Sequence, residues 1–341
     1  MQTVACELCG SHRASEVTRL RDMTHHVTED EFTIVRCEEC GLLYTHPRPS
    51  PEEIGRYYPP QYFSSAPAKS RTGVERLLKR LSENTKRWIR EDFYGYPGSA
   101  PNGPLRFLRK ALLWPEKTRR VLSGRDVLPW VGEGCLLDVG CGPGVNLATL
   151  QSQGWDVYGI EFSDTAAAQA RARVGDRIHT GTLETAPFAE SSFDVVLFSH
   201  SLEHMCSPCD ALARAWRLLK PGGRLMVAAP NAESWERRIF GRWWFPWEIP
   251  RHLYHFDKAT LTRLLQKAGF QVCWARTAVG SLFFMASLER FWMHRFGRAL
   301  PLRRLVEKLI ARPFCLIAGH LGYGTEITVH AVKREGTGVQ G

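Results

Sequence analysis

The stretch LLDVGCGPG, Leu136 to Gly144, decides the fold of this 341-residue chain. It carries an apolar segment that runs directly into a glycine loop and then into a helical pattern. The loop glycines are Gly140, Gly142 and Gly144. Glycines at such a position let the backbone turn sharply and approach a ligand beside a helix N-terminus. The next apolar segment closes with Glu161, where a carboxylate can accept hydrogen bonds from ribose hydroxyls. The sequence therefore predicts a nucleoside-binding crevice at the end of a buried strand.

The spacing of the glycines distinguishes two kinds of nucleoside ligand. A dinucleotide fingerprint is G-x-G-x-x-G, and here Val145 stands in the place of its third glycine. An acid, Asp138, precedes the loop. A carboxylate there suits the cationic amino-acid part of S-adenosylmethionine better than it suits a diphosphate. We therefore expect S-adenosylmethionine as the cofactor.

From Cys135 onward, short apolar runs alternate with amphipathic helical segments, a pattern that indicates an α/β fold with a parallel sheet. The predicted strands are Cys135–Val139, Val157–Glu161, Arg177–Thr180, Asp194–Ser199, Arg224–Ala229, Phe270–Arg276 and an edge strand at Glu326–Lys333. The predicted helices are Val145–Ser152, Asp164–Val174, Pro208–Leu219 and Lys258–Ala268. The third helix is expected to stop at Pro221-Gly222-Gly223.

At this point the sequence resembles the class I, Rossmann-like S-adenosylmethionine-dependent methyltransferases, over about Cys135 to Phe270 and on to the last strand. The resemblance implies a mostly parallel sheet with an antiparallel last strand. It also implies that the glycine loop holds the methionine part and that the acid after the second strand holds the ribose. Those roles fall on Asp138, Gly140, Gly142, Gly144 and Glu161.

Two further segments are similar to family segments. GTLETAPF, Gly181 to Phe188, corresponds to the family segment that contacts adenine. In this chain Thr182 replaces the usual Asp, and Leu183 follows. We therefore expect the adenine contact at Leu183, through the main chain, or shifted to Glu184. FDVVLFSHSLEHM, Phe193 to Met205, corresponds to the strand beside the cofactor. Its end, from Ser199 to Ser201, is expected beside the reacting methyl group.

The N-terminal region predicts a metal site. Two Cys-x2-Cys pairs, each followed by a glycine, have the spacing of a zinc ribbon, and four thiolates favour structural Zn²⁺. The four ligands are Cys6, Cys9, Cys37 and Cys40. We expect a zinc-ribbon-like module over 1–60, a linker with lead-in helices over 61–133, and a methyltransferase domain over 134–336 with a helical insertion at 281–320.

Histidines are the candidate catalytic residues, because methyl transfer needs acceptor orientation and, for some acceptors, a general base near neutral pH. His200 and His204 follow the fourth strand, and His252 and His255 lie in IPRHLYHF, which resembles a segment that closes over the active site. A metal held by His200, His204, Cys206 and Cys209 is a weaker alternative.

The insertion before the last strand is basic. Residues 281–320 contain seven Lys and Arg residues and two Glu residues, and the net charge of the whole chain is +10. Leucines recur in this segment at helical spacing. Such a segment can lie in a membrane interface, or it can pack on its own domain or on a second subunit. The N-terminus has no apolar secretory pattern, so we expect a cytoplasmic protein, with contact at the inner membrane face as one interpretation.

Three functions remain open from the sequence. The cysteine pairs, the segment LYTHPRPSPEEIGRYYPPQYF and IPRHLYHF together resemble bacterial zinc-ribbon methyltransferases of sugar, polysaccharide and other secondary pathways. That resemblance implies a small-molecule, sugar or lipid-linked acceptor, methylated at oxygen or carbon. An RNA methyltransferase is the first alternative, although Ser-His-Ser replaces the N/D-P-P-Y/F loop of enzymes that methylate exocyclic base amines. A non-catalytic cofactor-binding scaffold is the second.

Overall fold

The computed structural model describes residues 1–59, 62, 73–98, 101, 103–122 and 127–334. The strands are β1 (Ala14–Leu20), β2 (Phe32–Cys37), β3 (Leu43–Thr45), β4 (Cys135–Val139), β5 (Asp156–Glu161), β6 (Ile178–Thr180), β7 (Phe193–Ser199), β8 (Leu219–Pro230), β9 (Tyr254–His255), β10 (Phe270–Thr277) and β11 (Glu326–Lys333). Residues 63–72 of the expected lead-in region and 335–336 of the expected methyltransferase domain lie outside the described residues.

The helices alternate with these strands through the second half of the chain. They are α1 (Pro51–Ile54), α2 (Gly73–Phe93), α3 (Pro104–Leu122), α4 (Val145–Gln151), α5 (Asp164–Val174), α6 (Pro208–Leu218), α7 (Trp235–Phe240), α8 (Lys258–Lys267), α9 (Leu282–Phe296), α10 (Arg303–Val306) and α11 (Arg312–His320). Several begin at side-chain caps, as where Ser163 accepts a hydrogen bond from the Ala166 amide at the start of α5.

The main sheet has seven strands in the order β10-β11-β8-β7-β4-β5-β6. Strands β8, β7, β4, β5 and β6 run parallel, and β11 is antiparallel to both of its neighbours. The sequences of the central strands are continuous apolar runs because helices cover both faces of the sheet there. Leu136 and Val195, for example, are fully buried. The predicted Rossmann-like α/β fold with an antiparallel last strand is confirmed.

Two details of the prediction are wrong. Strand β11 is not at the edge, because it pairs with β8 on one side and β10 on the other. Its alternating pattern arises instead because one face, with Thr328 and His330, lines an open groove. Helix α6 ends at Leu218 rather than Leu219, since the backbone of Leu219 is already extended and pairs with Phe193.

A second, smaller sheet joins the N-terminal region to the methyltransferase core. Its order is β1-β2-β3-β9, and β9 comes from the IPRHLYHF segment far along the chain. Tyr44 of β3 pairs with Tyr254 of β9, and both side chains are buried in a cluster that also contains Val139 of the main sheet. The N-terminal region therefore rests directly against the carboxyl ends of the parallel strands.

The insertion between β10 and β11 folds as helices α9, α10 and α11 with a π-helical turn at Glu307–Ala311. Part of it packs inward, since Phe284, Met285, Ala311 and Cys315 are buried. Within the described residues, no helix combines the length and the apolar character that crossing a bilayer requires.

Candidate active site

A cavity of about 720 Å³ lies where β4 and β5 end. The glycine loop, the end of β5, the turn after β6 and the segment after β7 form its walls. Its lining residues include Gly140, Gly142, Glu161, Phe162, Leu183, His200, Ser201 and His204. This volume is in the range of a small-molecule site, and its place at the carboxyl ends of parallel strands is where α/β sheets bind ligands.

The three loop glycines have different roles. Gly140 has φ of +76°, and an added Cβ would lie 2.6 Å from the Ser201 Cβ, so this position requires glycine. Gly142 faces open space, which leaves its backbone accessible to a ligand. Gly144 does not line the cavity; its Cα packs against Ala170, where a Cβ would lie 2.9 Å from the Ala170 Cα. Close packing of α4 on α5 therefore requires glycine at position 144, and the predicted cofactor contact of Gly144 stays a prediction.

Glu161 is held in place by the backbone. Its carboxylate accepts hydrogen bonds from the Gly142 amide and the Ser163 amide, both at 2.9 Å, and it lines the cavity. Burial raises the pKa of Glu161 above its ordinary value, against the effect of those backbone donors. The side chain is thus oriented before any ligand arrives, in the position that the sequence predicts for a ribose contact.

Asp138 lies behind the cavity wall rather than in it. Its side chain is buried, one carboxylate oxygen accepts a 3.4 Å hydrogen bond from Asn146, and the other has no partner. Burial raises the pKa of Asp138 to about 7. Its contact with the methionine part stays a prediction.

The residues around the adenine position lie together. Leu183 is buried in the wall, beside Thr182 and Glu184, and the half-exposed ring of Phe162 faces the same cavity. Ser199 is different: it lines a separate groove on one face of the sheet, whereas Ser201 lines the cavity and His200 lines both. The placement of Ser199 to Ser201 beside the reacting methyl group stays a prediction.

A second cavity of about 320 Å³ adjoins the first. The two share three lining residues, which are Tyr62, His200 and His204. The remaining wall comes from the segment before β9, the start of α9 and the last strand, with Phe245, Glu248, His252, Phe283 and Glu326 among its residues. The shared wall brings any occupant of the second cavity next to the carboxyl end of β7.

His200 is an imidazolium in an acidic setting. Its Nε2 lies 2.7 Å from the Glu326 carboxylate and its Nδ1 lies 3.6 Å from Glu203. Burial disfavours the charged ring, but the two carboxylates outweigh it and raise the pKa of His200 to about 10. A ring that keeps its proton at neutral pH is a donor and a positive charge, and it is not a general base.

The rings of His204 and His252 meet edge to face, with centroids 4.5 Å apart. Burial, followed by the neighbouring His252, lowers the pKa of His204 to about 4. The Nδ1 of His204 donates to the Arg251 carbonyl at 3.1 Å, and that of His252 donates to the Pro246 carbonyl at 2.9 Å. Carbonyls only accept hydrogen bonds, so each Nδ1 is the donor and each Nε2 is the ring nitrogen left for other contacts.

His255, the fourth predicted histidine, lies apart from the others. It is buried in β9 against the Trp247 ring, and it lines neither of the two cavities. Burial lowers its pKa well below the ordinary value. Its place in the small sheet indicates a packing role.

Sequence reasoning missed the acidic groups and the N-terminal contribution. The hydroxyl oxygen of Tyr58 accepts a 3.0 Å hydrogen bond from the Nδ1 of His204, and Tyr58 lines the cofactor cavity together with Ile54 and Tyr62. These residues belong to the segment LYTHPRPSPEEIGRYYPPQYF, whose tyrosines were the available signal. Glu248 and Glu326 gave no such signal, because only the fold brings them beside the histidines.

The four N-terminal cysteines come together. Cys6 Sγ lies 3.4 Å from Cys40 Sγ, Cys9 Sγ lies 3.4 Å from Cys37 Sγ, and all four sulfurs lie within 4.8 Å of one another. Tetrahedral zinc with Zn–S bonds of about 2.3 Å requires sulfurs about 3.8 Å apart, so the cluster suits this metal.

Cys206 and Cys209 do not join a metal-type cluster with His200 among the described residues. Cys209 Sγ donates to the Glu7 carbonyl, and the Cys206 carbonyl accepts from Arg48. The alternative metal site on His200, His204, Cys206 and Cys209 therefore has no support from the described residues.

Known proteins share the sequence of this core. The model of a family described as "Methyltransferase domain" matches residues 72–273, more than half of the chain. A probable S-adenosylmethionine-dependent methyltransferase of Mycolicibacterium smegmatis is 30% identical over 154 residues, 44% of this chain and 53% of that protein. A ubiquinone biosynthesis O-methyltransferase of Thiobacillus denitrificans is 29% identical over 206 residues, 57% of this chain and 82% of that protein.

A solved S-adenosylmethionine-dependent methyltransferase of Thermotoga maritima aligns with TM-score 0.43 and 21% identity, over 76% of this chain and 99% of that chain. The chain spans about a third of an uncharacterized transposon protein of Streptomyces fradiae and about half of the Mycolicibacterium protein. The family match covers the glycine loop, β5 and the segment after β7 together. The chain belongs to the methyltransferase-domain family of S-adenosylmethionine-dependent enzymes.

Proposed function

We propose that this protein transfers a methyl group from S-adenosylmethionine to an oxygen or carbon atom of a small acceptor bound in the second cavity. The observation that supports this most strongly is the wall shared by the two cavities, made by Tyr62, His200 and His204. A transferable methyl group must face its acceptor across a short distance in line with the breaking bond. Two adjoining cavities of unequal size provide that arrangement.

The cofactor supplies an electrophilic methyl group on a sulfonium. In the larger cavity, Glu161 holds the ribose and Leu183 with Phe162 packs on the adenine. The backbone of Gly140 and Gly142 lies along the methionine part. Asp138 acts from behind this loop, where its unpartnered oxygen favours the cationic end of the ligand.

The acceptor we propose has a ring or other apolar part and at least one polar oxygen. Phe245 and Phe283 stack in the second cavity with centroids 6.0 Å apart, and Leu282 lies beside them. His200, His252 and Glu248 provide polar groups in the same wall. A sugar or lipid-linked acceptor suits this mixture, and the similarity to a ubiquinone biosynthesis enzyme supports an acceptor of the lipid-linked class.

Within this proposal the histidines have separate tasks. His200 keeps its proton and stabilises negative charge on the acceptor. His204 and His252 use Nδ1 to donate to carbonyls, so their Nε2 atoms are the ring nitrogens that can interact with an acceptor hydroxyl.

We also propose a structural Zn²⁺ on Cys6, Cys9, Cys37 and Cys40. The knuckle glycines support it, since the amides of Gly10 and Gly41 donate to the carbonyls of Cys6 and Cys37 at 2.7 and 2.9 Å. The metal would stabilise the small sheet that carries β9 into the active site.

The insertion supports contact with a membrane surface, which a lipid-linked acceptor requires. Leu302, Leu309 and Ile310 are exposed at 73%, 63% and 56%, and basic side chains are interleaved with them. In sedimentation with anionic vesicles, the variant with Leu309→Glu and Ile310→Glu should lose most of its binding. Leu112→Glu, which changes an equally exposed leucine on α3, is the control and should bind like the native protein. Equal binding of the insertion variant would contradict membrane contact there.

The methyl-transfer proposal is tested with labelled S-adenosylmethionine and a panel of nucleotide sugars, isoprenoid phenols and RNA. Label in a sugar or isoprenoid acceptor supports it. Label in RNA would instead identify the nucleic-acid alternative. Cofactor binding with no transfer to any acceptor would favour a non-catalytic scaffold.

A further inference from the structure

We propose that Glu203, His204 and His252 form a binding site for a divalent transition-metal ion in the wall between the two cavities. One oxygen of Glu203 and one nitrogen of each ring all lie within 4.8 Å of one another. Two imidazoles and a carboxylate are donors that Mn²⁺, Fe²⁺, Co²⁺ and Zn²⁺ accept. The site is separate from the four-cysteine cluster and has different chemistry.

The Glu203 carboxylate lacks hydrogen-bond donors. Its side chain is 1% exposed, and both of its oxygens are buried without a hydrogen bond. The nearest charged partner is the Nδ1 of His200 at 3.6 Å, and His200 already pairs with Glu326 at 2.7 Å. A carboxylate removed from water is costly unless it is hydrogen-bonded, paired or bound to a metal. The 3.6 Å contact with His200 gives Glu203 an ion pair, but both carboxylate oxygens still lack a hydrogen bond. A cation between Glu203 and the neighbouring rings supplies that partner.

The two rings are oriented as metal ligands are. Metal-binding histidines characteristically donate their second ring N–H to a carbonyl or carboxylate, which fixes the tautomer. The Nδ1 of His204 donates to the Arg251 carbonyl and that of His252 to the Pro246 carbonyl. Both rings therefore have Nε2 available as a ligand atom, and neither can rotate without breaking its anchor.

The fold fixes the distance between the ligands. Glu203 and His204 lie in a short helical turn after β7, and His252 lies just before β9. The Leu253 amide donates to the Glu203 carbonyl at 2.8 Å, which ties the two segments together beside the ligands. Bonds of about 2.1 Å to a metal bring ligand atoms to about 3 to 4 Å, so the side chains close slightly on binding.

Glu248 is available as a further ligand. One of its oxygens lies 3.7 Å from the Nε2 of His252, and the side chain lines the second cavity. The remaining coordination positions would face that cavity, where a hydroxyl, carboxylate or phosphate oxygen of the acceptor can occupy them. This role rests on the proposed methyl transfer, whereas binding of the metal alone does not.

Manganese binding tests the site. Protein whose zinc content has been measured is titrated with MnCl₂, and free Mn²⁺ is followed by electron paramagnetic resonance, since thiolate clusters bind this hard ion poorly. Native protein should bind one Mn²⁺ per chain without loss of zinc. Glu203→Gln, which preserves shape, and His252→Asn should each weaken Mn²⁺ affinity at least tenfold. Glu233→Gln, at an exposed carboxylate outside the site, should bind like the native protein.

Calorimetric binding of S-adenosylhomocysteine and the thermal unfolding midpoint are measured on every variant. Retained cofactor binding shows that Glu203→Gln and His252→Asn are folded, so that a loss of manganese reports on the site itself. The metal proposal is overturned if native protein binds no manganese, or if both site variants bind it as tightly as the native protein does. Failure of the cofactor titration in native protein would instead count against the proposed methyl transfer, and the two failures are therefore distinguishable.

Discussion

Asp22 and Arg251 form a bidentate ion pair whose two side chains are completely buried. The guanidinium donates to the two carboxylate oxygens at 2.7 and 3.0 Å, and it also donates to the Tyr57 carbonyl at 3.0 Å. Asp22 belongs to the N-terminal region, Arg251 to the segment before β9, and Tyr57 precedes a tyrosine of the cofactor cavity. A single ion pair thus joins the N-terminal region to both walls of the active site.

Removing one partner of this pair should destabilise the protein strongly. Asp22→Asn breaks the bidentate pair and leaves the buried guanidinium with the more distant Glu248 carboxylate, at 3.4 Å, as its counter-charge. Removing one partner of a buried pair costs about 3–5 kcal/mol. Urea unfolding at pH 7 measures the free-energy difference. Glu29→Gln, which removes a carboxylate from an exposed pair with Arg21, is the control and should change stability little.

The same pair predicts how stability depends on pH. Burial would raise the pKa of Asp22, but the hydrogen bonds from Arg251 outweigh it and lower the pKa from 3.8 to about 2. A carboxyl group whose pKa is lower in the folded protein stabilises the fold at every pH above its pKa in the unfolded chain. That stability is lost as the pH falls towards and through the pKa in the folded protein. The free-energy gap between native protein and Asp22→Asn should therefore narrow between about pH 4 and pH 2. A gap that stayed constant across this window would contradict the role of the charge.

The sequence predicted the main sheet well because its information is local. A buried parallel strand, a glycine turn and a helix are each encoded by neighbouring residues, as from Cys135 to Gln151, and their order restricts the topology. Glu161 was placed correctly at the cavity for the same reason.

The second cavity could not be predicted in this way. Phe245, Phe283 and Glu326 lie in three distant segments, and only tertiary packing brings them together. The histidines were found by residue type, but their protonation depends on the carboxylates around them, so His200 could not be distinguished from His204 in advance. Ser199 and Ser201 illustrate the limit: Ser199 lines a groove on the sheet, Ser201 lines the cofactor cavity, and His200 between them lines both.

Glu161→Ala should weaken binding of S-adenosylhomocysteine by about 10- to 100-fold, because hydrogen bonds to a charged group contribute about 1.5–3 kcal/mol. Isothermal calorimetry measures the change. Glu190→Ala removes an exposed glutamate outside the cavity and should leave affinity within about twofold. Unchanged affinity in Glu161→Ala would remove this residue from the cofactor site.

Phe283→Ala should act on the acceptor and not on the cofactor. The ring stacks on Phe245 and meets the ring of His200 at a centroid distance of 5.9 Å. Losing an aromatic contact of about 1–1.5 kcal/mol should raise KM for the acceptor about tenfold, with cofactor affinity unchanged. Phe291→Ala, on the exposed side of the same helix, is the matched control. Steady-state kinetics with the acceptor found in the labelling screen distinguish the two variants.

Cys37→Ser should lower zinc content from one ion per chain to near zero. The small sheet would then lose the metal that we propose holds its strands, so the thermal unfolding midpoint should fall. Cys273→Ser removes an exposed cysteine outside the cluster and should change neither quantity. Elemental analysis that finds full zinc occupancy in Cys37→Ser would contradict the proposed ligand set.

The most direct measurement is a crystal structure with bound S-adenosylhomocysteine. We predict the ribose hydroxyls on Glu161, the adenine against Leu183 and Phe162, and the sulfur facing the wall of Tyr62, His200 and His204. A nucleoside bound elsewhere, or a sulfur directed away from the second cavity, would contradict the account.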